Sequence, residues 1–227
     1  MSNLHHHEAR GRTRGKAGTL RRDGFAGWMD RLDPTTRERL EFLGAFLREP
    51  VTVGSVLPSS PDLAEAMIEG CDFDRPATIV ELGPGTGAFT GKILDRVHPG
   101  STFFALELNE RHVAGLRRRF SSLEVHLDSA ERIRQYLKLH GKESADYVLS
   151  GLPWGNFAAP LQDRIMREVV AAIRPGGLFC TFSYIQALAL PRGRRFRRTL
   201  HGRFSSVEQS PVVWKNLPPA MVYRCRR

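Results

Sequence analysis

Short apolar runs alternate with amphipathic segments between residues 63 and 183 of this 227-residue chain. Apolar runs bounded by turn-forming residues are typical of buried strands, whereas apolar positions three and four apart are typical of helices. The pattern predicts helices at 63–69, 87–97, 110–120, 130–140 and 160–173, and strands at 77–82, 102–107, 123–127, 145–150 and 177–183. Such alternation indicates an α/β fold with helices on both faces of a parallel sheet. Residues 207–213 and 220–223 are predicted to close this sheet as a hairpin.

The first 50 residues have a different pattern. Asp33 followed by Pro34 is typical of a helix N-terminus, and the apolar positions after it predict an amphipathic helix to about Arg48. Upstream, Trp28 belongs to an apolar stripe beside arginines, the pattern of an interfacial membrane segment, although packing on the main domain is the alternative. We therefore predict a basic, partly amphipathic segment over 1–32, membrane-contacting or disordered, and one globular domain over 33–227.

Positive charge is concentrated in two places. The chain has 34 Lys and Arg against 24 Asp and Glu, which gives a net charge of +10. Residues 1–24 contribute +4, and the run at 192–203, with six arginines and no acid, contributes +6, so the remainder is neutral. Concentrated basic patches favour a polyanionic partner, either nucleic acid or an anionic lipid surface, and a solvated tail and loop are the alternative.

Nothing in the sequence indicates a membrane span or a secretory signal. The longest weakly polar stretch, 178–190, contains polar residues and is shorter than the roughly 18–20 apolar residues that a span requires. The three cysteines, Cys71, Cys180 and Cys225, are far apart and lack the spacing of zinc sites. We therefore expect a cytoplasmic protein with reduced thiols and no bound metal.

A glycine-rich turn, Glu81-Leu82-Gly83-Pro84-Gly85-Thr86-Gly87, joins the first predicted strand to a helix. Backbone N–H groups in such a turn can approach a nucleotide-like ligand closely. The next two strands are each followed or ended by an acid, Glu107 and then Asp128 with Ser129 after it. The first can accept hydrogen bonds from ribose hydroxyls and the second from an adenine amine. Dinucleotides and adenosyl ligands both fit, and helix capping by the acids is the alternative.

Three motifs together, ELGPGTG, FALEL with Glu107 and HLDSA with Asp128, resemble the class I S-adenosylmethionine-dependent methyltransferases. The resemblance implies a Rossmann-like, seven-stranded, mostly parallel sheet with an antiparallel last strand, and S-adenosyl-L-methionine across the carboxyl ends of strands one to four. It places Glu81 near the methionine amino group, Glu107 at the ribose and Asp128 at the adenine, with Ser129 among the cofactor-binding residues. The glycines Gly83, Gly85 and Gly87 would line the methionine and ribose.

The turn after the fourth predicted strand narrows the class of substrate. Amino-group methyltransferases acting on adenine carry N-L-P-Y or D-P-P-Y there, whereas this chain has G-L-P-W with Gly151 in the position of the base-binding amide. From about Glu38 to Arg227 the chain resembles the bacterial phospholipid N-methyltransferases, which methylate phosphatidylethanolamine to phosphatidylcholine. The resemblance depends on VGSVLPSS at 53–60, SGLPWGNF at 150–157, FSY at 182–184 and NLPPAMVYR at 216–224.

Such an enzyme needs a neutral amine that attacks a sulfonium methyl group, so the site must favour loss of a proton from an alkyl ammonium. We hypothesise that Tyr184 and the turn from Ser150 to Trp154 offer oxygen acceptors and an aromatic wall, with cation–π contacts from Trp154 and Tyr184 as methyl groups accumulate. A core tyrosine is the alternative for Tyr184. The unranked candidates for the lipid phosphate are Arg192, Arg194, Arg195, Lys215 and Asn216.

The sequence therefore predicts a peripheral enzyme at the inner face of the cell membrane that methylates the amine of phosphatidylethanolamine in successive steps. Its expected partners are an anionic membrane surface, which Trp28 and the basic patches would contact, and an amine-bearing lipid rather than nucleic acid. Three alternatives stay open: an ornithine lipid N-methyltransferase, an rRNA adenine-N6 methyltransferase, and a membrane-binding protein with a vestigial cofactor site.

Overall fold

A seven-stranded sheet is the centre of the protein in a computed structural model, which describes residues 59–227. The strands are β1 (Thr78–Leu82), β2 (Thr102–Glu107), β3 (Glu124–Leu127), β4 (Ala145–Ser150), β5 (Ile173–Tyr184), β6 (Ser206–Gln209) and β7 (Ala220–Arg226). They lie in the order β3-β2-β1-β4-β5-β7-β6. Strands β1 to β5 pair in parallel, and β7 runs antiparallel to both β5 and β6. The predicted fold class is confirmed, including the antiparallel last strand.

Helices connect these strands, and five of those between residues 59 and 227 match helices that the sequence pattern predicts. The helices are α1 (Pro61–Ile68), α2 (Ala88–Leu94), α3 (Glu110–Arg119), α4 (Ile133–Leu139), α5 (Ala159–Ala172), α6 (Ile185–Leu188) and α7 (Pro191–Arg203). Short 3-10 turns, Ala130–Arg132 and Trp154–Asn156, precede α4 and α5. Side-chain caps begin two of the helices: Ser60 accepts a hydrogen bond from the Leu63 N–H at the start of α1, and Asn109 caps α3.

Side chains that alternate along the strands enter cores on opposite faces of the sheet. On one face, Val80 and Val148 pack with residues of α4, α5 and α7. On the other face, Ile79 and Leu149 pack with residues of α1 and α2. Because helices cover both faces, β1 is buried at all five positions. The loops at the carboxyl ends of the strands are therefore where side chains can meet a ligand.

The arginine run is a helix, α7, rather than the loop that we expected. Pro191 lies in its first turn, and Gly193, Phe196 and Leu200 form a buried stripe at helical spacing. The six arginines between these positions concealed the pattern in the sequence. Since most of the arginines are exposed, α7 presents its positive charge on a fixed element.

Several predictions lie outside the described residues. They are the segment over 1–32 with Trp28, the helix from Asp33 to about Arg48, and residues 53–58 of the VGSVLPSS motif. Within residues 59–227, none of the helices combines the length and the apolar character needed to cross a bilayer.

Candidate cofactor and substrate site

The glycine-rich loop joins the buried end of β1 to α2. Gly83, Gly85 and Gly87 have φ values of 66°, 57° and 84°, a region that disfavours side chains. A Cβ at Gly83 would lie 2.6 Å from the Leu152 side chain, and a Cβ at Gly87 would lie 2.6 Å from the Phe120 ring. At Gly85 no described atom lies within 4 Å of that position. Gly85 therefore has the open side that a ligand requires, whereas Gly83 and Gly87 let the loop pack against its neighbours.

Glu81, near the end of β1, is completely buried. Its Oε2 accepts a 2.6 Å hydrogen bond from the Thr90 hydroxyl, while Oε1 has no partner among the described residues. Burial raises the pKa of Glu81 to about 8, against the opposing effect of the Thr90 hydrogen bond, and the nearby Glu107 raises it further. An unsatisfied buried acceptor is an unfavourable arrangement that a ligand ammonium would relieve. The residue thus fits the predicted position beside a methionine amino group.

Glu107 ends β2 and faces the glycine-rich loop. Its Oε2 accepts from the Gly85 N–H at 3.0 Å and its Oε1 from the Asn109 N–H at 2.9 Å. His112 Nδ1 lies 3.7 Å from Oε2. Burial opposes ionisation, but the nearby His112 imidazole and the hydrogen bonds from the Asn109 and Gly85 N–H groups outweigh it and lower the pKa of Glu107. The group is a carboxylate at neutral pH and can accept hydrogen bonds from ribose hydroxyls.

Asp128 follows β3 and is the residue predicted to accept a hydrogen bond from the adenine amine. Its Oδ1 accepts from the Ser129 N–H at 2.7 Å, and its Oδ2 accepts from the Tyr136 hydroxyl at 3.1 Å. The Ser129 hydroxyl accepts from the Glu131 N–H and so caps the 3-10 turn before α4. The structure therefore holds the Asp128 carboxylate in place, and the Ser129 side chain caps the helical turn that it begins, while its assignment to the cofactor stays a prediction.

Two of these acids have a side-chain partner that the sequence pattern did not identify. Thr90 lies in the first turn of α2 and bonds Glu81, and His112 lies in the first turn of α3 and contacts Glu107. In both cases a polar side chain opens the helix that follows an acid-ended strand. Each is the third residue of its helix, and a polar side chain at that position is the signal that could have identified both.

The loops after β1 and β4 pack directly against each other. The Gly151 N–H donates to the Leu82 carbonyl at 2.8 Å, and a Cβ at Gly151 would lie only 2.5 Å from the Gly83 carbonyl oxygen. A side chain at position 151 has no room unless the glycine-rich loop moves. In this arrangement of the two loops, position 151 has no space for the base-binding amide of the adenine methyltransferases.

Ser150 and Trp154 are core residues. They are 0% and 2% exposed, and the Trp154 indole N–H donates to the Ser150 hydroxyl at 3.0 Å. The indole also stacks on Phe196 of α7, with ring centroids 5.2 Å apart and planes 10° apart. The structure thus corrects the prediction that these side chains offer an acceptor and an aromatic wall to an amine. The sequence could not indicate this partner because α7 itself was not predicted.

Tyr184 lies at the carboxyl end of β5, half-buried, on the opposite side of the sheet from Trp154. Its ring meets Phe182 edge-on at 5.4 Å, and Phe182 meets Phe89 of α2 at 5.8 Å. Burial raises the pKa of Tyr184, so the phenol is protonated at neutral pH. Tyr184 therefore contacts α2, the helix after the glycine-rich loop, through the ring of Phe182. Tyr184 and Trp154 do not line one common pocket.

The predicted phosphate-binding residues differ in their availability. Arg192 and Arg194 are exposed in the first turn of α7, whereas Arg195 donates to the Phe157 carbonyl at 3.1 Å and braces the turn before α5. Lys215 is exposed but lies 3.2 Å from an oxygen of the Asp62 carboxylate.

Asn216 is a structural residue. It is 2% exposed, its side-chain oxygen accepts from the Ser60 N–H at 2.9 Å, and its side-chain amide donates to the Pro218 carbonyl at 2.7 Å. These bonds connect the start of α1 to the turn before β7. The prediction that Asn216 binds a phosphate is corrected, because the amide is already satisfied within the fold.

Comparison with known proteins agrees with this geometry. Residues 79–177 match a family model described as a methyltransferase domain. An ornithine lipid N-methyltransferase from Singulisphaera acidiphila is 34% identical over 190 residues, which cover 82% of this chain and 94% of that protein. The chain belongs to the lipid N-methyltransferase type of class I S-adenosylmethionine-dependent methyltransferases.

This methyltransferase has more distant similarities. A ribosomal RNA small subunit methyltransferase A from Synechococcus is 29% identical over 148 residues, 63% of this chain and 50% of that protein. The structure of the O-methyltransferase TomG from Streptomyces achromogenes, solved with S-adenosylmethionine, superimposes with a TM-score of 0.57 at 17% identity, over 89% of this chain and 94% of that one. The fold is shared, and S-adenosyl-L-methionine is the cofactor of the methyltransferase.

Proposed function

We propose that this methyltransferase transfers methyl groups from S-adenosylmethionine to a primary amine on the head group of a membrane lipid. The observation that carries the proposal is the relative named as an ornithine lipid N-methyltransferase, which aligns along nearly its whole length. Ornithine lipid and phosphatidylethanolamine both pair a primary amine with an anion, a carboxylate in one and a phosphodiester in the other. The relative favours the first, and the motifs at 150–157 and 216–224 do not separate the two lipids.

Three acids near the ends of β1, β2 and β3 are assigned to different parts of the cofactor. Glu81 takes the ammonium of the methionine part, because its buried Oε1 lacks a donor. Glu107 takes the ribose hydroxyls beside the open position at Gly85, and Asp128 takes the adenine amine. Charged and hydrogen-bonded contacts of this kind fix the orientation of the cofactor before reaction.

The chemistry requires little from the protein beyond alignment and deprotonation. S-adenosylmethionine, when bound, supplies an electrophilic methyl group on a sulfonium. The amine attacks with its lone pair, the C–N bond forms as the C–S bond breaks, and the product ammonium releases its proton to water. We assign Tyr184 to the amine, because its neutral phenol can accept a hydrogen bond from an amine N–H at the carboxyl edge of β5.

A membrane-facing surface supports access to such a substrate. Exposed apolar side chains occur at Leu190, Trp214 and Leu217, which are 56%, 69% and 66% exposed. Leu190 immediately precedes the basic helix α7, and the loop with the other two is joined to the end of β5 by the Ile185 N–H and the Pro219 carbonyl. Apolar and cationic groups close together in the segments that follow β5 are the combination that a peripheral protein uses on an anionic bilayer. We place the enzyme at the inner face of the cell membrane.

Methylation of RNA adenine is the less favoured function. It requires an acceptor for the base amine after β4, and Gly151 has neither that side chain nor space for one. A buried amine without a partner loses binding free energy.

The function is tested by methyl transfer from labelled S-adenosylmethionine to anionic liposomes that contain phosphatidylethanolamine, ornithine lipid or neither, with structured RNA in parallel. Label in either lipid is the expected result, and the labelled head group identifies the substrate. A Glu107→Gln variant serves as the cofactor control. Label in RNA only, or no label in any sample from a protein that binds S-adenosylmethionine, would overturn the proposal.

A further inference from the structure

Three potential metal ligands converge at the edge of the sheet, away from the glycine-rich loop. Glu124 and His126 lie on β3, the edge strand, and His140 follows the last turn of α4. Residues two apart on a strand share a face, so Glu124 and His126 both face the end of α4. The carboxylate of Glu124 and the Nε2 atoms of both histidines lie together there.

The spacing of these atoms matches the coordination shell of a small divalent ion. The two Nε2 atoms are 3.1 Å apart, and Glu124 Oε1 lies 3.5 Å from Nε2 of His126 and 3.7 Å from Nε2 of His140. Tetrahedral zinc with N and O ligands at 2.0–2.2 Å separates neighbouring ligands by about 3.3–3.6 Å. A hydrogen bond between the imidazoles accounts for the first distance only, because the carboxylate is farther away than an ordinary hydrogen bond allows.

Aromatic packing fixes the orientation of both imidazoles. His140 stacks on Phe104 with centroids 4.3 Å apart and planes 7° apart, and His126 packs on Tyr136 with centroids 4.3 Å apart. The histidine side chains are 16% and 13% exposed, whereas Glu124 is 59% exposed. The two nitrogen ligands are thus preorganised, and the carboxylate side is open to an ion from solvent.

We propose that Glu124, His126 and His140 bind one divalent transition-metal ion of the zinc class, with a fourth position open to solvent. Two imidazoles and one carboxylate are a ligand set that zinc accepts. The ion would cross-link the edge strand β3 to the end of α4. It would also restrain His126 and, through the Tyr136 ring and hydroxyl, the carboxylate of Asp128. The site lies away from the glycine-rich loop, so the ion takes no part in methyl transfer.

Binding is measured with Zn²⁺ by calorimetry and with Co²⁺ by its visible d–d absorption, on the full-length chain. Because imidazoles in the run His5, His6 and His7 are able to bind the added metal, all proteins in the comparison carry asparagine at these three positions. We expect one ion per chain. The d–d absorption of bound Co²⁺ should indicate a coordination geometry of low symmetry. Zinc at 100 times its dissociation constant would raise the Tm by about 5–10 °C.

The variants His126→Gln and His140→Gln are each expected to lose the bound ion and the zinc-dependent rise in Tm. The matched control is His201→Gln, an exposed histidine of α7, which should bind the ion as the parent does. Circular dichroism and the Tm in a chelator show whether each variant is folded. Failure of the folded parent to bind zinc, or equal binding by the parent and the two cluster variants, would overturn the proposal. The readout does not depend on methyl transfer, so it stands or fails separately from the proposed function.

Discussion

Glu81 is a fully buried carboxyl whose pKa is raised to about 8 by burial, so at pH 7 it is mostly protonated in the cofactor-free protein. We predict that binding of S-adenosylmethionine releases about one proton at pH 7, because a ligand ammonium stabilises the carboxylate. The affinity should rise with pH up to about 8 and level off above it. Calorimetry in buffers of different ionisation enthalpy measures the released protons.

The Glu81→Gln variant is the control for this prediction, since it cannot release that proton. The same carboxyl affects stability with a defined sign. The folded pKa is above the ordinary value of 4.5, so the native state holds a proton that the unfolded chain loses, and the free energy of unfolding should fall between pH 4.5 and about 8. A proton release equal in both proteins would show that Glu81 does not meet the cofactor.

Gly151 tests whether the two loops must touch. We predict that Gly151→Ala lowers the affinity for S-adenosylmethionine about tenfold or more, because its Cβ would displace the Gly83 carbonyl and with it the glycine-rich loop. Gly155→Ala, four residues later in the same turn, adds a Cβ in open space and should bind normally. Equilibrium binding measures both. Equal affinities in the two variants would mean that the contact between the loops is not required.

Tyr184 tests the proposed amine contact. Tyr184→Phe removes one hydroxyl, and we expect a 3- to 10-fold decrease in kcat/KM for the lipid, about the value of one hydrogen bond, with unchanged affinity for S-adenosylmethionine. Tyr147→Phe is the matched control, because its hydroxyl accepts from the Asp72 N–H away from the strand ends. Full turnover by Tyr184→Phe would instead identify Tyr184 as a core tyrosine without a catalytic role.

At the scale of elements, Trp154 holds the basic helix α7 to the turn after β4 through its stacking on Phe196. We predict that Trp154→Ala lowers the free energy of unfolding by about 3–5 kcal/mol, because it leaves a cavity and removes the indole bond to Ser150. Trp214→Ala, at a position 69% exposed, should change it by no more than about 0.5 kcal/mol. Chemical denaturation measures both variants. A similar effect for the two would contradict the assignment of Trp154 to the core.

At the scale of the whole molecule, the net charge of +10 attracts the protein to an anionic bilayer before any contact forms. We predict that replacing Arg197, Arg198 and Arg203 of α7 with glutamine weakens binding to anionic vesicles about 100-fold, at about 1 kcal/mol per cation. The binding should also weaken as salt shortens the Debye length. Vesicle sedimentation measures both effects.

The control for the vesicle experiment removes the same charge elsewhere. Arg111, Arg118 and Lys138 are exposed on α3 and α4, and their replacement with glutamine should weaken vesicle binding much less. Turnover of a short-chain lipid dispersed in detergent should be nearly unchanged in both triple variants. If the two triple variants bind vesicles equally, net charge and not the position of α7 controls adsorption.

The sequence by itself determined the strands and helices around the glycine-rich loop and the order of the three acids, whereas the cofactor followed only from the resemblance of these motifs to a known family. These features depend on local periodicity, on glycine at a strand-to-helix turn, and on acids that follow strand ends, so each can be recognised within a short stretch of chain. Glu81, Glu107 and Asp128 were selected in this way as candidate cofactor-binding residues. Helix α7 was missed because its buried stripe, Gly193, Phe196 and Leu200, is narrow among arginines.

Only the tertiary structure decided which side chains are available to a ligand. It put Trp154 against Phe196, Asn216 against Ser60, and Gly151 against Gly83, contacts between residues 42, 156 and 68 positions apart in the chain. It also brought His126 and His140 to 3.1 Å across a strand and a helix end. The sequence pattern shows what each side chain can do chemically. Its burial and its contact partners arise only when distant segments pack together. These two conditions decide whether the side chain is available to a ligand.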